Sequence, residues 1–333
     1  MNHFGNAEES CLCCPEIVLV LILLFAWPSF VRAQAASVAP QKVILDTDIG
    51  DDIDDAFALA LALRSPELEI LQVNADFGDT PLRARLLQRF LRATGREDIP
   101  VAIGVHTSAP SDFTQRRYAE RDANDAAAKR DAIQTTLELI WKYPGEITLI
   151  GIGPFVNIGA MIDKDPATFR KLKRVVVMGG SIYQGYASGG LSGYTNPSGP
   201  EPEWNVRNGI PGMRKLLASG VPVYMMPLDA TQLKLDEVKR ELLFQHDSPI
   251  TDQLVILYHQ WGQLTPTLYD PMAVGFAIDP GLCPVTPMRI RVDDQGNTKP
   301  EVGQPNVRVC LHSDPEKFFN FYMPRLLDDS RDH

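Results

Sequence analysis

Six aspartates fall within ten residues, from Asp46 to Asp55, and no other stretch limits the possible folds as strongly. Residues 43–60 read VILDTDIGDDIDDAFALA. Val43-Ile44-Leu45 is a short apolar run of strand type, and Ala56, Leu59, Ala60 and Leu63 recur at helical spacing. Gly50 lies between them, where the chain can turn tightly. The pattern predicts a strand, a tight turn and a helix, with the carboxylates crowded at the turn. Like charges that close repel and raise one another's pKa. The free N–H groups and dipole of a helix N-terminus offset part of this, enough to account for one or two of the six. The others, pressed against an apolar strand, point to a hard cation, because oxygen-rich acidic clusters suit Ca2+ or Mg2+.

Two known acidic loops fit poorly. A calcium-binding EF-hand needs Glu at its twelfth position; counting from Asp46 that residue is Phe57, and from Asp48 it is Leu59. Asp46-Thr47-Asp48-Ile49 matches four positions of the DxDx[TV] loop of haloacid-dehalogenase-type phosphohydrolases, whose first Asp is a nucleophile. Gly50 stands where that loop has Thr or Val.

Downstream, apolar strand-like runs alternate with helical patterns. Strands are expected at Leu68–Ala75, Pro100–Gly104, Ile147–Gly153, Arg174–Gly180, Val221–Leu228, and near 286–293 and 306–311. Helices are expected around Leu82–Leu91, at 131–142, after Asn157, and at 206–219, 235–245, 250–263, 272–278 and 314–327. Continuous apolar strands alternating with helices indicate an α/β fold, a mostly parallel central sheet with helices on both faces, Rossmann-like and open. Ligands of such sheets sit at the carboxyl ends of the strands. Asp46–Asp48, Asp79, Asn157 and Met178-Gly179-Gly180 mark those ends here. Residues 181–203 are a long Gly/Ser/Tyr/Pro-rich loop, and loops of that length in a compact domain tend to be functional or disordered. Residues 106–130 read either as a lid or as a solvated loop.

The formal charge of −10 and the lack of a Lys/Arg-rich run argue against nucleic acid and anionic membranes as partners. Residues 17–27, IVLVLILLFAW, are too short for a comfortable membrane span. Small residues follow, so residues 1–35 read as a signal peptide cleaved near Ala33 or Ala35. The segment before the apolar run carries Glu8, Glu9 and Glu16 and no Lys or Arg, which leaves an uncleaved anchor as the alternative. Residues 36–333 then form a single exported domain, periplasmic or secreted. That domain keeps Cys283 and Cys310, readable as one disulfide or as two buried thiols.

The acidic stretch also resembles the amino-terminal motif DxDxGxDDxxA of the inosine–uridine nucleoside hydrolase family. Asp46, Asp48, Gly50 and Asp54-Asp55-Ala56 reproduce it, with two extra residues between Gly50 and the Asp pair. A second register places Asp52 and Ile53 at the pair; the first is preferred because Ala56 and the apolar helix follow directly. The resemblance runs from Val43 to about Asp279. Gly78-Asp79 is similar to the family's Gly-Asn, Gly153-Pro154-Phe155-Val156-Asn157-Ile158 to GPLTNIA, and Val177-Met178-Gly179-Gly180 to VMGG. Glu203-Trp204-Asn205 resembles E[FW]N, with Asn196 upstream matching a further Asn. Tyr269-Asp270-Pro271 resembles HDP, with Tyr in place of the His thought to assist the leaving base.

The resemblance implies a calcium-dependent ribonucleoside hydrolase of purine/pyrimidine salvage, dimeric or tetrameric, acting on a small-molecule ribonucleoside. It places Asp48, Asp55, Asp270 and the Val156 carbonyl on Ca2+, and Asp54 as the base, with Tyr269 at the leaving group. Asp79, Met178, Asn196, Glu203 and Asn205 would hold the ribose. Two alternatives remain at this level: a Mg2+-dependent phosphohydrolase built on Asp46 and Asp48, and an exported calcium- and riboside-binding protein without turnover.

Overall fold

A computed structural model describes residues 39–108, 113–121, 130–187 and 198–328. The leader (1–35), Asn196 and much of the 106–130 segment lie outside the described residues. From Ala39 onward these residues fall in one compact unit.

Ten strands form the sheet: β1 (Gln41–Thr47), β2 (Leu68–Ala75), β3 (Val101–Ile103), β4 (Arg130–Asp131), β5 (Thr148–Gly151), β6 (Arg174–Met178), β7 (Val223–Met226), β8 (Val285–Val292), β9 (Thr298–Glu301) and β10 (Val307–Cys310). Their order is β4-β3-β2-β1-β5-β6-β7-β10-β8-β9. The pairs from β4 through to β10 are parallel; β8 and β9 pair antiparallel at one edge. The α/β class and the mostly parallel sheet are as expected. β9 was not expected, because its Thr-Lys-Pro-Glu is polar and mostly exposed and carries Pro300, a composition tolerated only where a strand has a free edge.

Helix Asp54–Leu63 is buried along its whole length, which explains why its apolar residues run almost without interruption. The helix expected over 206–219 is two helices, Trp204–Asn208 and Ile210–Ala218. Gly209 separates them, and Pro211 opens the second, where a missing N–H costs nothing. Cys283 and Cys310 form a disulfide, with Cα atoms 5.6 Å apart, that ties the end of β10 to the turn after helix Pro271–Ile278. Of the two readings of these cysteines, the bonded one is correct.

Candidate active site

The strand order reverses between β1 and β5. From β1 the chain builds outward through β2, β3 and β4, then returns to lay β5 on the other side of β1. Loops leaving the carboxyl ends of two such strands diverge and open a crevice, the usual ligand position in open α/β sheets. A cavity of about 400 Å³ lies there. Asp48 follows β1, Ile152 follows β5 and Met178 ends β6, and all three line it.

The acidic turn is held from behind. Arg83, fully buried on helix Thr80–Ala93, donates to the carbonyls of Asp48, Ile49 (2.8 Å) and Phe77 (2.8 Å). Its guanidinium sits 5.0 Å from the centre of the Phe113 ring. The backbone N–H of Gln115 donates to the Gly50 carbonyl, and the Gln115 side chain donates to the Asp52 carbonyl. Gly50 is required on two counts: its φ is +128°, and a Cβ there would lie 2.1 Å from the Phe113 ring. Gly50→Ala should therefore cost about 2–5 kcal/mol, the sum of backbone strain and overpacking, and should displace the acids on either side. A melting temperature equal to that of the parent would refute this.

Asp54 and Asp55 form the first turn of helix Asp54–Leu63, where the helix dipole favours negative charge. Asp270 precedes helix Pro271–Ile278. Carboxylate oxygens of these three buried residues all lie within 4.8 Å of one another. Oxygens sharing a calcium ion at 2.3–2.6 Å would be at most about 5 Å apart, so the spacing and the hard-oxygen chemistry fit such an ion. The Thr47 hydroxyl donates to Asp55 at 2.5 Å, and the Asp270 backbone N–H donates to Asp54 at 3.3 Å. Burial pushes all three carboxyls well above the usual carboxylate range, and repulsion from neighbouring acids, Asp48 among them in each case, adds to this. Asp48 lines the same cavity outside the tight triad. Burial lifts it to about 6, against the opposing charge of Arg83.

Opposite the acids, Glu203 caps helix Trp204–Asn208 and accepts from the backbone N–H groups of Gly180, Asn205 and Val206 at 2.8–3.0 Å. Burial still raises it to about 7. The Asn205 amide donates to the carbonyls of Ile152 and Met178, both at 3.2 Å. Glu203, Asn205 and Met178 thus converge on the cavity as the motif implied.

Two expected site residues stand apart from the cavity lining, and a third is not described. Asp79 is the N-cap of helix Thr80–Ala93, its carboxylate accepting from Leu82 N–H, and it is not among the residues lining the cavity. Val156 opens helix Val156–Lys164, and the lining residue on that loop is Ile152. Asn196 lies outside the described residues.

Tyr269 lines the cavity, its ring edge-on to that of Tyr186 with centroids 6.0 Å apart. Trp204, Trp261, Gln263 and Thr114 complete the wall. Tyr186, Trp261, Gln263 and Thr114 escaped the sequence reading because they stand on loops and a helix end, outside any motif.

A family model described as "Inosine-uridine preferring nucleoside hydrolase" matches residues 43–320. The chain is 28% identical over 316 residues to the pyrimidine-specific ribonucleoside hydrolase RihA of Citrobacter koseri, covering 85% of this chain and 97% of that protein. Among solved structures it is similar to a plant nucleoside hydrolase (TM-score 0.74, 24% identity, 86% of this chain and 99% of that one). It is also similar to a purine-preferring ribonucleoside hydrolase from Gardnerella vaginalis (TM-score 0.72, 22% identity, 86% and 98%). At these identities the structural likenesses establish the fold.

Proposed function

The chain belongs to the inosine–uridine preferring nucleoside hydrolase family, and from that premise we propose that it releases ribose from ribonucleosides with calcium held in the acidic floor of the cavity. The observation that carries this reading is the buried triad Asp54, Asp55 and Asp270 at the strand-order reversal. The phosphohydrolase alternative loses its ground here, since Asp46 lies buried behind the cavity, accepting from the Asn157 amide at 2.9 Å.

Asp55 and Asp270 would hold the ion, with Asp48 beside them. A divalent cation supplies a fixed positive charge that lowers the pKa of water and orients hydroxyls. Asp54 takes the proton from water as it attacks the anomeric carbon. Positive charge develops on the sugar ring in the transition state, and carboxylates fixed around the cavity stabilise it without reorganising. Glu203 and Asn205 receive the ribose hydroxyls, and Met178 packs under the ring. The aglycone leaves toward Tyr186 and Tyr269. The apolar leader and the Cys283–Cys310 bond both support export to an oxidising compartment.

The test is ribose release from inosine, uridine and p-nitrophenyl riboside by protein starting near residue 36, before and after chelation. Calcium-restored release is expected. Riboside binding without release from any of the three would point instead to a binding protein.

A further inference from the structure

We propose that the cavity selects ribosides whose aglycone is positively charged, such as pyridinium or N7-alkylated purine ribosides. This deepens the hydrolase reading and rests on it.

Seven carboxylates line the cavity: Asp48, Asp51, Asp52, Asp54, Asp55, Glu203 and Asp270. No Lys, Arg or His is among the described lining residues. A divalent cation would balance two negative charges and leave an acidic excess. Arg83, behind the turn and bonded to backbone carbonyls, offsets part of the charge on Asp48 and Asp55 but does not reach into the cavity wall. Asp51 and Asp52 belong to the stretch that carries the two extra residues relative to the motif, so part of this excess lies outside the motif's own acids. Asp52 is exposed, lines the cavity, and lies within electrostatic reach of Tyr269.

The aromatic wall points the same way. Tyr186, Trp204, Trp261 and Tyr269 face one space, and aromatic faces attract cations. A neutral ring can stack on such a wall and donate hydrogen bonds to the carboxylates but carries no net charge for them to attract; a cationic ring gains that attraction as well. The leaving-group chemistry agrees. Apart from the carboxyls, the aglycone side offers Tyr, Trp, Thr and Gln, none of which is an acid near neutral pH, a free tyrosine having a pKa of about 10. A neutral nucleobase leaves most easily when protonated. A cationic aglycone needs no proton: the C–N bond breaks with its electron pair remaining on nitrogen, and the aglycone departs neutral. The water oxygen bonds to the anomeric carbon, and its proton passes to an aspartate.

The experiment compares N7-methylguanosine with guanosine, below neutral pH where the methylated ring is cationic, in calcium-loaded full chain, with p-nitrophenyl riboside as a third substrate. A kcat/KM for the methylated nucleoside at least a hundredfold above guanosine is expected. Because such a ring is also the better leaving group, recognition is read from Asp52→Asn and Asp51→Asn. Each should raise KM for N7-methylguanosine about tenfold more than KM for guanosine, while Asp52→Glu restores the difference. An equal change in both KM values, or guanosine cleaved as well as its methylated form, overturns the proposal and leaves the hydrolase reading standing. No release from any of the three substrates overturns both.

Discussion

Asp54→Asn is expected to lower kcat by about two to four orders of magnitude, the range for removing a general base whose loss nothing nearby replaces. The substitution is nearly isosteric, and it keeps an oxygen where Asp54 accepts from the Asp270 backbone N–H, so folding should survive. What it removes is the charge. Asp54 lies within 4.8 Å of ligand oxygens on both Asp55 and Asp270. An oxygen at that distance either ligates the ion or accepts a hydrogen bond from water on it. Titration of calcium into the variant separates the two. Affinity within a few-fold of the parent, with turnover lost, identifies Asp54 as the base. Affinity lost together with turnover makes Asp54 a ligand and hands the base role to Asp48, which lines the same cavity outside the triad. Retained turnover would remove Asp54 from the chemistry altogether.

The fold was legible wherever local pattern and burial agree. β1, the buried helix after it, β2 and β6 follow from apolar runs bounded by turns, because strands covered on both faces leave no room for polar residues. The antiparallel edge was harder to read. β9 has few apolar residues, since an edge strand facing water needs none, and its pairing with β8 depends on long-range contact. Within the site, residues from the acidic stretch, Met178, Glu203, Asn205, Tyr269 and Asp270 were legible because each sits in a short motif at a strand end or a helix start. Asp79 shows the limit of that reasoning. Its motif position suggests a sugar contact, whereas an Asp just before Thr80-Pro81 is also a strong N-cap, and its carboxylate takes that role. The aromatic wall was not legible. Tyr186 is positioned by hydrogen bonds from a distant part of the chain, its backbone N–H to Glu201 and its hydroxyl from Trp204 N–H. Asp229 holds the preceding turn through the N–H groups of Ile182 and Tyr183. None of these pairings leaves a trace in local sequence.

Chelated protein should lose stability as pH rises, and calcium should offset a large part of that loss. Asp46 and Asp48 move from 3.8 to about 6 and Glu203 from 4.5 to about 7 on folding, in each case chiefly through burial, while Asp54, Asp55, Asp76 and Asp270 move well upward. A raised folded-state pKa means that the native protein keeps protons the unfolded chain has released. The associated stability is therefore complete below about pH 4 and declines as pH climbs through the folded values, to about 7 and beyond. Two pKa units on one carboxylate amount to about 2.7 kcal/mol. These groups are coupled, so their shifts do not add, and roughly 3–6 kcal/mol is expected in all. Asp293, held low chiefly by Lys299, pulls the other way, but Lys299 is exposed, so solvent screens the pair. The melting temperature in chelator should then drop by about 10 °C between mildly acidic and mildly alkaline pH. On the proposed reading calcium would bind the ionised cluster and not the unfolded chain. At a hundredfold excess over its Kd it contributes about 2.7 kcal/mol, and most at the alkaline end, where the carboxylates are free of protons. The melting curves with and without calcium should diverge as pH rises. In Asp270→Asn, which removes one charge from the triad, the gap between them should close. Parallel curves for the parent protein would mean that the acidic floor holds no cation, and the buried aspartates would then have to be kept neutral by protons alone.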